Sequence, residues 1–231
     1  MLKVLYVIRC GFELEACIKD HNLDAFRSAI RAHARCGSDC SIHTDDMGDE
    51  AVELRTAPYT VKKAFKNLKS LCDVIRKYGY TNASCGLHFN FSTTSMRQAK
   101  YHNPYMFASN PIWMRLLREY RRTNNCYCAH RLKEDSPVFQ QMVDQLYTHK
   151  DDGHYCSVNY EHFTGRKNQR IEVRVFGNKN YECKYKNIRK ECDVILKLFD
   201  KCSRKQMKRK YFKKHEKKFN ISQFVRKVLS K

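Results

Sequence analysis

Apolar and polar residues alternate most clearly over Arg170-Ile171-Glu172-Val173-Arg174-Val175-Phe176. Side chains of a strand point to opposite faces in turn, so Ile171, Val173 and Val175 share one face, and Arg170, Glu172 and Arg174 the other. Three β-branched residues on one side predict a strand with that side in a core. The same period of two recurs along the chain. Residues 2–17 read as one long strand, or two strands meeting near Gly11, with Phe12 and Leu14 opposite Glu13 and Glu15. Ala51–Arg55 reads as a short strand with Glu53 and Arg55 on one face, ended by Thr56-Ala57-Pro58. Cys85–Ser92 is a strand entered through glycine, with Leu87, Phe89 and Phe91 opposite His88 and Asn90. His154–Tyr160 is another, and the loop 161–168 makes a hairpin between it and the strand at 170–176.

A longer period, near 3.6, predicts the helices. Over 22–36 Asn22 is the cap, Leu23, Phe26 and Ile30 form the apolar stripe, and Gly37 is the stop. Over 60–79 Thr60 is the cap, the stripe is Val61, Phe65, Leu68, Cys72 and Ile75, and Gly79 closes the helix. Asn110-Pro111 and Ser136-Pro137 each read as a cap followed by proline in a first turn, starting helices that run to Arg122 and His149. Residues 181–202 place Tyr185, Ile188, Cys192, Ile195 and Phe199 on one stripe, and a short amphipathic piece lies at 221–229. Mixed strands and helices of this kind predict an α+β fold.

With 231 residues, 42% hydrophobic and 30% charged, the chain can bury one sizeable core and reads as a soluble globular protein. No apolar run approaches the roughly 18–20 residues that span a bilayer. The apolar start, Met1–Ile8, meets charged Arg9 and Glu13 without a small-residue cleavage site, so it reads as a strand and not a signal peptide. Twelve cysteines without a C-x-x-C predict reduced thiols in a cytoplasmic protein, where free cysteine serves as a small hydrophobe. The acidic loop Asp45–Glu50 lacks the ligand spacing of an EF-hand and reads as a solvated turn. The net charge of +21 is uneven: from Lys201 onward thirteen Lys/Arg face the single acid Glu216. Residues 1–202 therefore read as one domain, and 203–231 as a basic helical tail suited to nucleic acid or another polyanion.

Four strands now carry polar residues at i and i+2 with apolar residues on the other face: Glu13/Glu15, Glu53/Arg55, His88/Asn90 and Glu172/Arg174. In one sheet these rows would meet on a single surface. Four carboxylates gathered there need cations, and an oxygen-rich site with one histidine suits Mg²⁺ or Mn²⁺. Arginines beside metals suit phosphate. The same inventory would also serve a metal-dependent nuclease, and the tail alone would serve a nucleic-acid-binding protein without catalysis.

Gly11-Phe12-Glu13-Leu14-Glu15, Asp39-x-Ser41, Val52-Glu53-Leu54-x-x-x-Pro58, Cys85-Gly86-Leu87-His88-Phe89-Asn90 and Ile171-Glu172-Val173-Arg174 together resemble, in order and spacing over residues 4–200, the motifs of the amidoligases. These are glutamine-synthetase-like carboxylate–amine ligases. The resemblance implies a curved, largely antiparallel sheet forming an active-site cup, with helices on its outer face. It implies ATP and two divalent ions, Mg²⁺ or Mn²⁺, as cofactors, and small-molecule or peptide carboxylates and amines as substrates. It assigns Glu13, His88 and Glu172 to a metal near the ATP phosphates, and Glu15 and Glu53 to a second metal near the substrate carboxylate. Arg174 would stabilise the transferring phosphoryl group, and Asp39 and Ser41 would sit beside the site. Asn159 and Arg131 are substrate-contact candidates. The chain departs from the family at Asn90, where a second histidine is usual; asparagine is a poor ligand for a transition metal.

Overall fold

β1 (Ile8–Ile18) is the spine of the molecule, because alternate residues along it serve two different purposes. Cys10, Phe12, Leu14, Ala16 and Ile18 are fully buried in the core, while Glu13 and Glu15 face the other way. A computed structural model describes residues 8–94, 101–108, 110–122, 157–160, 162–163 and 169–204. Within them β2 (Arg35–Ser38), β3 (Glu50–Arg55), β6 (Gly86–Thr93), β7 (Val158–Asn159) and β8 (Arg170–Gly177) join β1 in the order β2-β3-β1-β6-β8-β7. Two short strands, β4 (Tyr59–Thr60) and β5 (Gly79–Tyr80), also pair with β1, and every pairing among the described residues is antiparallel. The fold is α+β with an antiparallel open sheet.

The helices α1 (Leu23–Ile30), α2 (Val61–Tyr78), α3 (Pro104–Ala108), α4 (Ile112–Glu119) and α5 (Tyr185–Cys202) complete the described elements. Phe65 of α2 packs 5.6 Å from Phe12, ring centre to ring centre, and Phe199 of α5 lies 5.2 Å from Phe91. With Phe12 and Phe89 stacked at 5.3 Å, these rings place α2 and α5 on the apolar face of β1 and β6. Offset and edge-on ring pairs of this kind add to the stabilisation from area burial alone.

Several boundaries differ from the sequence reading. The helix expected over 22–36 stops at Ile30, and Arg35–Ser38 is instead an edge strand on β3. Buried Asn67 of α2 explains the break: its amide donates to the His33 carbonyl at 2.8 Å, and its oxygen lies 2.7 Å from His33 Nδ1. That clamp turns the chain before Gly37 is reached. Helix 181–202 begins as a 3-10 turn over Tyr181–Lys184, and α3 was not foreseen although Asn103-Pro104 starts it, Asn103 Oδ1 accepting from the Met106 amide at 3.0 Å. β1 is one strand, not two. The Asn110 cap is present, its oxygen accepting from the Ile112 amide at 3.1 Å, but α4 ends three residues early. Arg121 there takes a left-handed φ of 52°, and the Arg122 amide reaches back to the Leu117 carbonyl at 2.7 Å. Such a C-terminal cap reverses the chain.

β7 pairs with β8 as expected, Asn159 opposite Glu172. The acids of the 45–50 loop are not merely solvated: Tyr80 donates to Asp49 at 2.8 Å, and Asn82 to Asp45 at 2.9 Å. The nine described cysteines are free thiols. Arg131, residues 2–7, the 137–149 helix and the tail beyond Arg204 lie outside the described residues. Among the described residues no helix is long and apolar enough to cross a membrane.

Candidate metal centre and its surroundings

Antiparallel pairing aligns the polar residues of neighbouring strands into rows. One row runs Arg55, Glu13, His88 across β3, β1 and β6. The next holds Gly11, Asn90, Glu172 and Asn159 across β1, β6, β8 and β7. Beyond it lies Arg9, Ser92, Arg170. On the other side of the His88 row, Glu15 stands directly opposite Glu53. β8 departs from the regular ladder beside His88: Phe89 pairs with Val173, but Leu87 pairs with Phe176, so Arg174 and Val175 together oppose the one residue His88. A bulge of this type re-aims side chains and is common next to active sites.

His88 is the centre of the arrangement. Its Nδ1 lies 3.3 Å from both Glu13 Oε2 and Glu172 Oε1, and its Nε2 lies 3.4 Å from Glu15 Oε1. A neutral imidazole has one N–H. A neutral ring would present a lone pair to a carboxylate oxygen, a conflict that either a second ring proton or a cation between ring and carboxylate relieves. Other bonds hold the acids in place. Asn90 donates to Glu13 at 3.1 Å, Asn159 donates to Glu172 at 3.1 Å, and Arg174 Nε donates to Glu172 at 2.9 Å. The Gly86 amide donates to Glu15 at 2.5 Å, and Arg55 forms an ion pair with Glu53.

The donor atoms of Glu13, Glu53 and His88 all lie within 4.8 Å of one another. Ligands opposite each other around Mg²⁺ are about 4.2 Å apart, so small side-chain adjustments bring the three onto one ion. The buried Asn90 Oδ1 has no hydrogen-bond partner, an orphaned oxygen next to Glu13. Hard oxygen donors with one imidazole fit Mg²⁺ or Mn²⁺. Glu53, rather than Glu172, is thus the third member of the tightest donor group, which differs from the division that the family resemblance implies.

Electrostatics separate the two nearest acids. Burial would push the Glu13 carboxyl up, but the His88 hydrogen bond and the fields of His88, Arg170 and Arg174 outweigh it and pull it down to about 2. Burial pushes Glu53 up, reinforced by Glu13 and opposed by Arg55.

The structure therefore gathers Glu13, Glu15, Glu53, His88, Asn90, Asn159, Glu172 and Arg174 on one face. Asp39 and Ser41 follow the edge strand β2 and bond to each other: Asp39 Oδ1 accepts from the Ser41 amide at 2.9 Å and from its hydroxyl at 2.7 Å. Asp39 contributes to the site through the field that it adds at Arg55.

One arginine was placed on the polar face without a role, and another escaped the sequence reading. Arg170 belongs to the row beyond Asn90 and Glu172 and, with Arg9, Gly11, Glu13, Asn90 and Ser92, lines a cavity of about 410 Å³. Its place two residues before Glu172 on the same face was the available signal. Arg122 is 2% exposed and donates from Nη1 to the Cys85 carbonyl at 3.0 Å. It enters a notch that two glycines leave open, Gly86 and its cross-strand partner Gly177. A Cβ on Gly177 would lie 2.5 Å from Arg122 Nη1, and one on Gly86 would lie 3.0 Å from Glu15, 3.1 Å from His88 and 3.3 Å from Arg122. No local pattern marks Arg122, because a distant helix end delivers it. Comparison with known protein families and with characterised proteins finds no match.

Proposed function

We infer that the protein is an ATP-dependent carboxylate–amine ligase of glutamine-synthetase-like fold. The observation that carries this reading is the convergence of four carboxylates, one histidine and arginines on a single sheet face, beside a cavity lined by further arginines. In such a ligase the γ-phosphoryl of ATP passes to a substrate carboxylate, releasing ADP and giving an acyl phosphate. An amine then attacks the acyl carbon and expels phosphate, leaving an amide.

Glu13, Glu53 and His88 would hold a divalent ion, with Glu15 and Glu172 as further acids for a second. Bound divalent ions supply charge neutralisation to the phosphate oxygens. Arg174, held by Glu172 next to the bulge, would meet the charge of the transferring phosphoryl group. Arg9, Ser92 and Arg170 would receive the phosphates in the cavity, because guanidinium groups pair with phosphate oxygens through parallel N–H donors. Asn90 and Asn159 orient Glu13 and Glu172.

The test is incubation of purified protein with Mg·ATP and pooled amino acids, peptides and amines. ADP and phosphate should appear only when a carboxylate and an amine are both present. Glu172→Gln should abolish that release and leave the melting temperature near wild type, since the change alters charge and not shape. Wild-type turnover by this variant would sink the site assignment. Degradation of labelled DNA or RNA without ATP would establish the metal-dependent nuclease in place of the ligase.

A further inference from the structure

The face of the molecule that turns away from the carboxylates carries charge of the opposite sign. On α2 the exposed charged residues are Lys62, Lys63, Lys66, Lys69, Arg76 and Lys77. At about 100° per residue these all fall on one side of the helix, opposite the buried stripe Phe65, Leu68, Leu71 and Cys72. α5 repeats the pattern with Lys186, Arg189, Lys190, Lys197 and Lys201, opposite Ile188, Cys192, Ile195 and Phe199. The two helices touch: Tyr185 donates to the Phe65 carbonyl at 3.1 Å, and the Arg189 guanidinium lies over the Phe65 ring.

Few acids answer these cations. Asp73 is shared between Lys69 and Arg76, Asp200 is bonded to Arg204, and Asp193, on the same side of α5 four residues from Arg189 and from Lys197, is ion-paired to neither. Among the described residues Lys62, Lys66, Lys186, Lys190, Lys197 and Lys201 make no ion pair. A solvated helix normally interleaves both signs along its exposed face. Unrelieved like charges at i and i+4, as in Lys62/Lys66 and Lys186/Lys190, disfavour the helix. The chain then continues from α5 into a tail with twelve more Lys/Arg.

We propose that the outer face of α2 and α5 is a binding surface for the phosphate backbone of double-stranded nucleic acid. A duplex carries one charge per roughly 1.7 Å of its length, and an 18-residue helix such as α2 extends about 27 Å beside it. The apolar stripe of each helix is used up in the core. Exposed large apolar residues among those described are Met47, in the acidic loop, and Val194. The surface therefore has no wedge of the kind that anchors an amphipathic helix in a bilayer. Its rings, Tyr59 under Lys63 and Tyr78 under Lys77, are half-buried and covered by lysines, not open platforms on which unpaired bases would stack. Binding is then through phosphates, without sequence preference. None of this depends on the ligase reading, and the partner would localise whatever activity the opposite face performs.

The experiment is fluorescence anisotropy of the full chain with a labelled 24-base-pair duplex of arbitrary sequence between 50 and 300 mM KCl. Two variants are compared with wild type: one with Lys62, Lys66, Lys186, Lys190, Lys197 and Lys201 all changed to Gln, and one with Lys208, Arg209 and Lys210 changed to Gln. The six-site variant should lose about 100-fold or more in affinity at 150 mM KCl, and its plot of log K against log salt should be shallower by about three to five, near 0.9 per lost phosphate contact. Wild-type affinity and slope in the six-site variant, with the loss confined to the tail variant, overturn the proposal. So does tighter binding of wild type to vesicles containing 30% phosphatidylserine than to the duplex at equal salt. If the six-site variant fails to fold by circular dichroism, separate changes on α2 (Lys62, Lys66) and α5 (Lys186, Lys190) should each reduce the slope by between one and two; no reduction in either is equally fatal.

Discussion

β1 and β6 present two faces built by the same backbone, and the faces obey opposite rules. On one side Phe12, Leu14, Leu87, Phe89 and Phe91 lie against α2 and α5 with no more than 1% exposure. Every contact there adds to stability. On the other side Glu13, Glu15, His88 and Asn90 are also largely buried, but among charges and polar atoms that are only partly satisfied. Burying carboxylates near one another costs free energy unless cations compensate. A face that carries such a cost in every strand has a use other than holding the fold together. The lysines of α2 make a third case: charged but exposed, they cost little, so their number says more about a partner than about chemistry.

The comparison breaks most visibly on the apolar side. Phe89→Ala removes the ring that contacts Phe12, Phe65 and Phe91 at once. It should cost about 3–5 kcal/mol, enough to leave a marginal domain largely unfolded in a chemical denaturation curve. A change three residues away on the same strand, on the polar side, should do the reverse. Gly86→Ala puts a methyl 3.0 to 3.3 Å from Glu15, His88 and Arg122, distances at which these side-chain ends must shift by tenths of an ångström. The fold should survive with a loss of about 1 kcal/mol, while Mn²⁺ affinity measured by calorimetry falls about 10- to 100-fold, as it does when groups that orient ligands are disturbed. Unchanged Mn²⁺ binding in Gly86→Ala would mean that Glu15 and His88 have no part in holding the ion.

Which parts of this were open to reading in the sequence follows from what sets each of them. The polar rows depend on the period of two within one strand, so Glu13/Glu15, His88/Asn90 and Glu172/Arg174 announce themselves locally. Their meeting depends on which strands are neighbours, and here the apolar alternation on all of them was enough to suggest one sheet. The bulge at Arg174 leaves no mark, because one extra residue in a β-branched run looks like any other. β2 was hidden inside a helical pattern because the clamp that ends α1 comes from Asn67, more than thirty residues away. Arg122 needs three separated segments at once: the α4 cap, Gly86 and Gly177. Long-range causes of this sort are invisible to periodicity. The grouping of Glu53 with Glu13 and His88, in place of Glu172, follows from the pairing of β3 with β1 and from the claim that Arg174 and Asn159 lay on Glu172.

The smallest effect sharpens the comparison within the polar face itself. Glu13 and Glu53 have oxygens within 4.8 Å of each other, but their carboxyls are displaced in opposite directions. Glu13 is held down at about 2 in the folded protein, below its ordinary value of 4.5. Its stabilising contribution is therefore complete above pH 4.5 and is lost as pH falls towards 2. Glu53 is raised, so its contribution favours the fold below the ordinary carboxylate value and is lost as pH rises through its folded value. In metal-free protein, with chelator present, Glu13→Gln should lower stability near neutrality and flatten the acid limb of the stability curve. Glu53→Gln should be neutral in acid and stabilising near neutrality. Saturating Mn²⁺ should cancel that gain, because the wild type then recovers as binding energy what the empty cluster loses to repulsion. Parallel pH profiles for the two variants would show that the two carboxylates do not share one field, and the cluster would lose its standing as a single centre.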